Sequence, residues 1–246
     1  MTTLAFYNNK GGVGKTTATI NIAYALAEIG KHILVIDCDS QRNTSRFFGG
    51  GEAAGVIEGI IDRIADKFSD GSPISRTRYP NIDVMLLDDV HILEEKTVRE
   101  LYDFAVLDLP PAMNEYTSDI LRLCDFVLVP IELESFSIQG LSNVSETLSA
   151  VGKPFCCFVN KYNKSVKAHE AMFTLARENL GDILLNTPLP YSPAIINSIT
   201  ADKTVAEYWR FSPVLYSLGG LVEEILQNVE KLDKLDKFDE LGKAVG

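Results

Sequence analysis

The sequence predicts an α/β fold, doubly wound around a mostly parallel sheet. Three observations lead there. Short apolar runs recur at 4–7, 33–36, 84–87, 104–107, 126–130 and 155–159. Several hold apolar residues at successive positions instead of alternating with polar ones, the pattern of a strand covered on both faces. Stretches of helical spacing lie between the runs, and such an alternation packs as right-handed βαβ units.

The first helix is expected over 15–29, with Ile20, Ala23, Leu26 and Ala27 at helical spacing and Gly30 as its stop. A second, over 137–151, has Leu141, Val144, Leu148 and Val151 on one face and ends at Gly152-Lys153-Pro154. A third, over 166–180, ends at Gly181, and a short one is expected near 116–123. A C-terminal helix over about 213–235 runs into an alternating Lys/Asp tail. Residues 49–81 are less regular: Gly49-Gly50-Gly51, a helical patch near 56–65, then Gly71-Ser72-Pro73. They read as an elaborated connection within one domain spanning 1–246.

A chain of 246 residues buries roughly 70–75% of its unfolded surface and needs no disulfide or metal to hold its core. A hydrophobic fraction of 46% and a charged fraction of 23% argue against disorder, a fibre and a membrane-embedded bundle. No apolar run reaches the ~18 residues of a spanning helix. The N-terminus lacks a basic leader region and a cleavage site, so a cytoplasmic protein is expected. Cys38, Cys124, Cys156 and Cys157 form no CxxC pair and read as buried free thiols of a reducing compartment. A net charge of −11 disfavours DNA or anionic-membrane binding through bulk charge, though not through a local basic patch.

The strongest local feature is Asn9-Lys10-Gly11-Gly12-Val13-Gly14-Lys15-Thr16-Thr17. It follows the first strand and opens the first long helix, where a phosphate loop must sit. Glycines let successive N–H groups curl around phosphate oxygens, and the helix N-terminus adds its positive end. Lys15 suits the β- and γ-phosphates, and the Thr16 hydroxyl suits Mg²⁺. The general pattern G-x-x-x-x-G-K-[ST] has glycine where this chain has Asn9; here Lys10 precedes Lys15 by five positions.

Further stations follow at strand ends. Asp37 and Asp39 end the second run, at the edge where open α/β sheets bind ligands. Two carboxylates there suit Mg²⁺ through water, or the orientation of an attacking water; a helix cap or turn pair is an equal reading. Four apolar residues and then Asp108, followed by Pro110-Pro111, make a Walker B strand whose carboxylate suits Mg²⁺. Asn160 ends the 155–159 run, where its amide suits a base edge, although asparagine is also a common turn residue.

These motifs resemble the deviant Walker A ATPases: the ParA/Soj partition proteins, MinD, and relatives such as the nitrogenase iron protein. The resemblance runs from about residue 2 to residue 208, with 125–130 and 136–141 included. It implies a P-loop NTPase of the deviant Walker A type that binds ATP with Mg²⁺ and hydrolyses it. Gly11, Gly12, Val13, Gly14, Lys15, Thr16 and Thr17 then cradle the phosphates, and Asn160, Pro188 and Pro190 flank the base. Thr16, Asp37 and Asp108 serve the Mg²⁺. By the same resemblance Asp39 positions the hydrolytic water, and Lys10 crosses a homodimer formed on ATP binding. Ser40 stands where the family usually has proline, and Arg42 where it has glycine.

Within the family a short partition ATPase is expected, because the first strand begins almost at Met1, with no preceding helix-turn-helix. Such a protein segregates a DNA cargo with a ParB-like activating partner and touches non-specific DNA; it resides in the cytoplasm, in association with the nucleoid. Candidate DNA contacts are the Lys161, Lys164 and Lys167 cluster, Lys203 and Arg210, although a lysine cluster is more often a solvated helix start. The alternatives are a ParA-like ATPase that positions a protein complex without DNA, and a MinD-like membrane-associated one. The last needs a basic amphipathic end; here residues 223–246 hold seven acids and four lysines.

Overall fold

The computed structural model describes residues 1–49, 74–86, 90–133, 145, 146 and 148–245. The strands are β1 (Thr2–Phe6), β2 (Ile33–Asp37), β3 (Ile74–Arg76), β4 (Ile82–Leu86), β5 (Phe104–Asp108), β6 (Phe126–Glu132) and β7 (Phe155–Asn160). They form one sheet of order β3-β4-β2-β5-β1-β6-β7. Every described pair is parallel except β3–β4. All six anticipated strands are present.

β3 was not anticipated. At three residues, Ile-Ser-Arg, it is too short and too polar to leave a periodic signal. β4 starts earlier than its apolar run because Asp83 interrupts that run. Asp83 accepts the Tyr102 hydroxyl at 2.8 Å, which lets a carboxylate sit within the strand.

Successive strand residues enter opposite cores, as a two-sided sheet requires. Leu4, Phe6, Val35, Val106, Leu128 and Phe158 face one layer, and Ala5, Leu34, Ile36, Leu107, Val129 and Val159 face the other. Cys156 and Cys157 split between the same two layers. All four cysteines are free and buried, and burial raises each thiol pKa.

The helices are α1 (Lys15–Glu28), α2 (Asn43–Gly49), α3 (Lys96–Leu101), α4 (Glu115–Leu123), α5 (Lys167–Leu180), α6 (Pro193–Thr200), α7 (Val205–Tyr208) and α8 (Val214–Val245). The first layer receives Ile22, Ala23 and Leu26 of α1, Phe47 and Phe48 of α2, and Leu221, Val222 and Ile225 of α8. The second receives Val98, Ile120, Leu121 and Ala176 from α3, α4 and α5.

Of the expected second helix, residues 145, 146 and 148–150 are helical, with Leu148 buried. Its earlier part and the patch near 56–65 lie outside the described residues. α8 runs ten residues past its anticipated end at 235, because Leu, Lys, Asp and Glu continue a helix as readily as they end one. No helix among the described residues is long and apolar enough to cross a membrane.

The order places β1 between β5 and β6, while its own crossover leads to β2 on the far side of β5. The connections from β1 and β5 therefore leave in opposite directions. The crevice at their carboxyl ends is where such sheets take ligands.

Leu221 anchors α8 with no exposed surface. Leu221→Ala is expected to cost about 2–5 kcal/mol in urea unfolding; a loss under about 1 kcal/mol would mean that α8 is not docked as described.

Candidate nucleotide-binding site

The loop between β1 and α1 carries Gly12 at φ 78° and Gly14 at φ 89°, where a β-carbon is strained. At Gly14 a β-carbon would also stand 2.3 Å from Asn160 Nδ2. Gly14 caps α1 with no side-chain hydrogen bond, and the first turn holds no acid. The positive end of α1 is thus left to an outside anion.

Asn8 shapes the loop from below. Its Nδ2 donates to Pro130 O at 2.8 Å, and its Oδ1 accepts from Lys10 N at 2.9 Å. Lys15 is almost buried, and its Nζ donates to Asn8 O at 3.2 Å. Burial lowers the Lys15 pKa, and Asp108 and Asp39 pull it back up.

Asp108 ends β5 and is 1% exposed. Its Oδ2 accepts the hydroxyls of Thr16 and Thr44, each at 2.6 Å. Its Oδ1 is buried with no hydrogen-bond partner among the described residues. Burial pushes its carboxyl up to about 6, against the pull of the two hydroxyls and Lys15. An orphaned buried carboxylate oxygen beside a loop threonine fits a cation. No group of three or more His, Cys, Asp or Glu able to hold a metal exists among the described residues. One carboxylate and one hydroxyl suit Mg²⁺, which draws its remaining ligands from substrate phosphates and water.

Asp37 lies beside Asp108 on the neighbouring strand. Both of its oxygens are engaged by backbone: Oδ1 accepts from Asp39 N at 3.1 Å and Oδ2 from Ser45 N at 2.7 Å. Asp39, half-buried, accepts from Gln41 N at 2.9 Å. The cap-and-turn alternative therefore describes what these carboxylates do in this structure. Arg42 sits at φ 54°, the left-handed conformation that glycine adopts freely.

Asn160 is turned inward. Its Nδ2 donates to Val13 O at 2.8 Å, and its Oδ1 accepts from Lys161 N. It nevertheless lines a cavity of about 280 Å³ with Gly14, Thr17, Pro190, Tyr191 and Ile195. That cavity opens beside the loop. Pro190 is in its wall; Pro188 is not.

Lys161 departs from its expected place in a basic DNA-facing cluster. Its Nζ donates to Gly12 O at 2.7 Å and pairs with Glu132 at 2.5 Å, so it belongs to the loop. Lys164, Lys167, Lys203 and Arg210 remain exposed. Lys10 is half exposed, 3.9 Å from the same Glu132.

The family model described as an AAA domain, AAA_31, matches residues 1–93 and 82–161. The Caulobacter vibrioides chromosome partitioning protein ParA is 31% identical over 231 residues, covering 83% of this chain and 86% of its own. The chain belongs to the ParA/Soj/MinD family of ATPases. The Thermus thermophilus chromosome-partitioning ATPase Soj is 26% identical over 245 residues, covering 93% of this chain and 96% of its own. The septum site-determining protein MinD of Pyrococcus horikoshii, solved with Mg-ADP, shares the fold with a TM-score of 0.68 at 21% identity. That likeness covers 91% of this chain and 95% of the MinD chain.

The structure thus brings Lys15, Thr16, Asp108, Asp37 and Asp39 to one sheet edge, with Gly14, Asn160 and Pro190 at the adjoining cavity. Sequence reasoning missed Asn8, Thr44 and Glu132. Thr44 lies seven residues past Asp37 in a stretch for which the sequence predicts no element; a short Asn-Thr-Ser helix start was the available signal.

Asp108 binds its proton more tightly folded than the ordinary value of 3.8. Ionising it therefore destabilises the fold, and the loss grows as pH rises from about 4 through about 6. Asp108→Asn removes that loss. The stability gap between variant and wild type, without metal or nucleotide, is expected to widen by roughly 1–2 kcal/mol from pH 5 to pH 8. A gap that stays flat in urea melts across this range would refute the raised carboxyl.

Proposed function

We propose that the chain is a Mg²⁺-dependent ATPase that switches between a monomer and a nucleotide-sandwich dimer. In this reading the switch drives segregation of a DNA cargo with an activating partner protein. The observation that carries it is the convergence of the uncapped end of α1, Lys15, Thr16 and the orphaned Asp108 Oδ1 beside the cavity.

The loop N–H groups and the α1 terminus hold the polyphosphate, and the base enters the cavity against Pro190 and Tyr191. Lys15 leaves its carbonyl partner for the β- and γ-phosphates, which restores a counter-charge to a buried ammonium. Thr16 and Asp108 would hold Mg²⁺, which would supply positive charge beside the phosphate oxygens. Asp39 orients water for in-line attack on the γ-phosphate, with Asp37 fixing the backbone that carries it. Lys10 of each subunit stabilises the transition state in the other.

A second reading gains from one observation. With Lys161 turned to the loop, the anticipated lysine cluster loses a member, and the chain is strongly acidic. A switch that positions a protein complex without binding DNA accommodates both.

Lys10→Ala is expected to keep ATP binding and lose ATP-dependent dimerisation. Asp39→Ala is expected to accumulate as an ATP dimer in sedimentation with Mg²⁺. Adding non-specific duplex DNA over a salt series then separates the readings. Binding with a steep salt slope supports DNA segregation; a dimer that ignores DNA at low salt selects a protein cargo. A Lys10→Ala protein that dimerises normally would remove the trans role.

A further inference from the structure

We propose that Lys161 and Glu132 are a positioning pair that braces the phosphate loop from outside and so sets nucleotide affinity. This rests on the reading that the loop and cavity take a nucleotide. Both residues end neighbouring strands: Glu132 is the last residue of β6, and Lys161 follows the last residue of β7. Glu132 pairs in register with Asn160, which places its carboxylate at the root of Lys161.

Lys161 adopts φ 57°, a left-handed conformation that side chains other than those of asparagine and aspartate seldom take. From there its ammonium reaches Gly12 O at 2.7 Å and Glu132 Oε1 at 2.5 Å. Asn160, one residue earlier, holds the next loop carbonyl, Val13 O, at 2.8 Å. Two consecutive side chains from one strand end thus hold two consecutive carbonyls of the loop.

That arrangement has a chemical consequence. A loop that binds an anion through its N–H groups must keep its carbonyls turned away, because a carbonyl oxygen repels a phosphate oxygen. A glycine-rich loop resists such rotation poorly, since glycine permits both signs of φ. An external donor on Gly12 O supplies the restraint that the sequence of the loop withholds. Glu132, with its side chain 15% exposed, fixes and neutralises that donor. The same carboxylate lies 3.9 Å from the half-exposed Lys10 ammonium, too distant and too solvated to hold the loop by that route. Lys161 further lines the cavity that would take the base, so the pair touches both halves of the site.

An ion pair at this exposure contributes little to folding stability by itself. Its effect should appear in the fraction of molecules whose loop is competent to bind, and affinity falls with that fraction. The test is isothermal titration of the full chain with Mg-ADP and Mg-ATP, alongside ligand-free melting. Lys161→Met is expected to lose about tenfold in affinity, and Glu132→Gln to lose less. The double variant should be no worse than Lys161→Met, because Glu132 acts through the lysine. Lys161→Arg keeps a donor and should stay within about threefold of wild type. Ligand-free melting should be nearly unchanged throughout. Wild-type affinity in Lys161→Met, additive losses in the double variant, or a weakening matched by a collapse in ligand-free melting would each overturn the brace. A folded wild type that binds neither nucleotide would instead overturn the reading beneath it.

Discussion

Asp108 Oδ2 accepts two hydroxyl hydrogen bonds at 2.6 Å, from Thr16 in the first turn of α1 and from Thr44 in the first turn of α2. Through that one oxygen a central strand fixes both helices that flank the phosphate loop. α1 is held at its uncapped end, and α2 is held where it leaves the turn carrying Asp39. Asp37 repeats the tie from β2, since its Oδ2 accepts from Ser45 N, next to Thr44. The register of Asp37 opposite Asp108 makes the two ties adjacent. A loop of glycines has little shape of its own, so its geometry is inherited from these anchors and from Asn8, Asn160 and Lys161.

The electrostatics of the site follow from the burial of its two central charged groups. Lys15 and Asp108 are both nearly buried, and each is shifted toward its neutral form by burial. Neither is paired directly with the other: Lys15 bonds to carbonyl oxygens and Asp108 to hydroxyls. A polyphosphate with its cation would supply what each lacks, a negative partner for Lys15 and a positive one for Asp108 Oδ1. In the proposed function, binding would relieve two desolvation costs at once and so couple the nucleotide to the metal without a preformed cage of carboxylates.

How much of this was legible in the sequence depends on the range of the interaction that fixes each feature. The six parallel strands were, because burial on both faces writes itself into consecutive apolar residues. The positions of the Lys15-Thr16 loop after β1 and of Asp108 at the end of β5 were, because a glycine-rich segment and an acid each close an apolar run. Asp37 and Asp39 were placed correctly but left between two roles; only the hydrogen bonds to Ser45 N and Gln41 N show which backbone groups they hold. The roles of Thr44 and Asn8 were not legible, since their partners lie 64 and 122 residues away; the Asn-Thr-Ser helix start marks the place of Thr44 but not its partner. Lys161 misled for a related reason. Its neighbours in sequence, Lys164 and Lys167, suggest a basic surface, while its neighbours in space are a glycine carbonyl and a glutamate. A single left-handed residue separates those outcomes, and no periodicity reports it.

The helix after Asp39 and the wall of the cavity also share support at a distance from either. At the end of α2, Phe47 stacks on Tyr79 and Phe48 meets it edge-on. The Tyr79 hydroxyl donates to Glu207 at 2.6 Å, and Glu207 closes a capping box with Thr204 at the start of α7. Arg78, over the Tyr79 ring, donates to Asp202 O, just beyond the C-terminal end of α6. α6 in turn supplies Ile195 and Ile199 to the cavity. Asn21 closes the circuit from α1, accepting from Val205 N and donating to Thr17 O. A shift of α2 therefore strains the same aromatic and carboxylate contacts that seat α6 and α7. Such a network resists independent motion of its parts, because repacking one face of a tight aromatic cluster disturbs the others. The contacts that join α2 to α6 and α7 thus lie within the one chain, outside both the loop between β1 and α1 and strand β5.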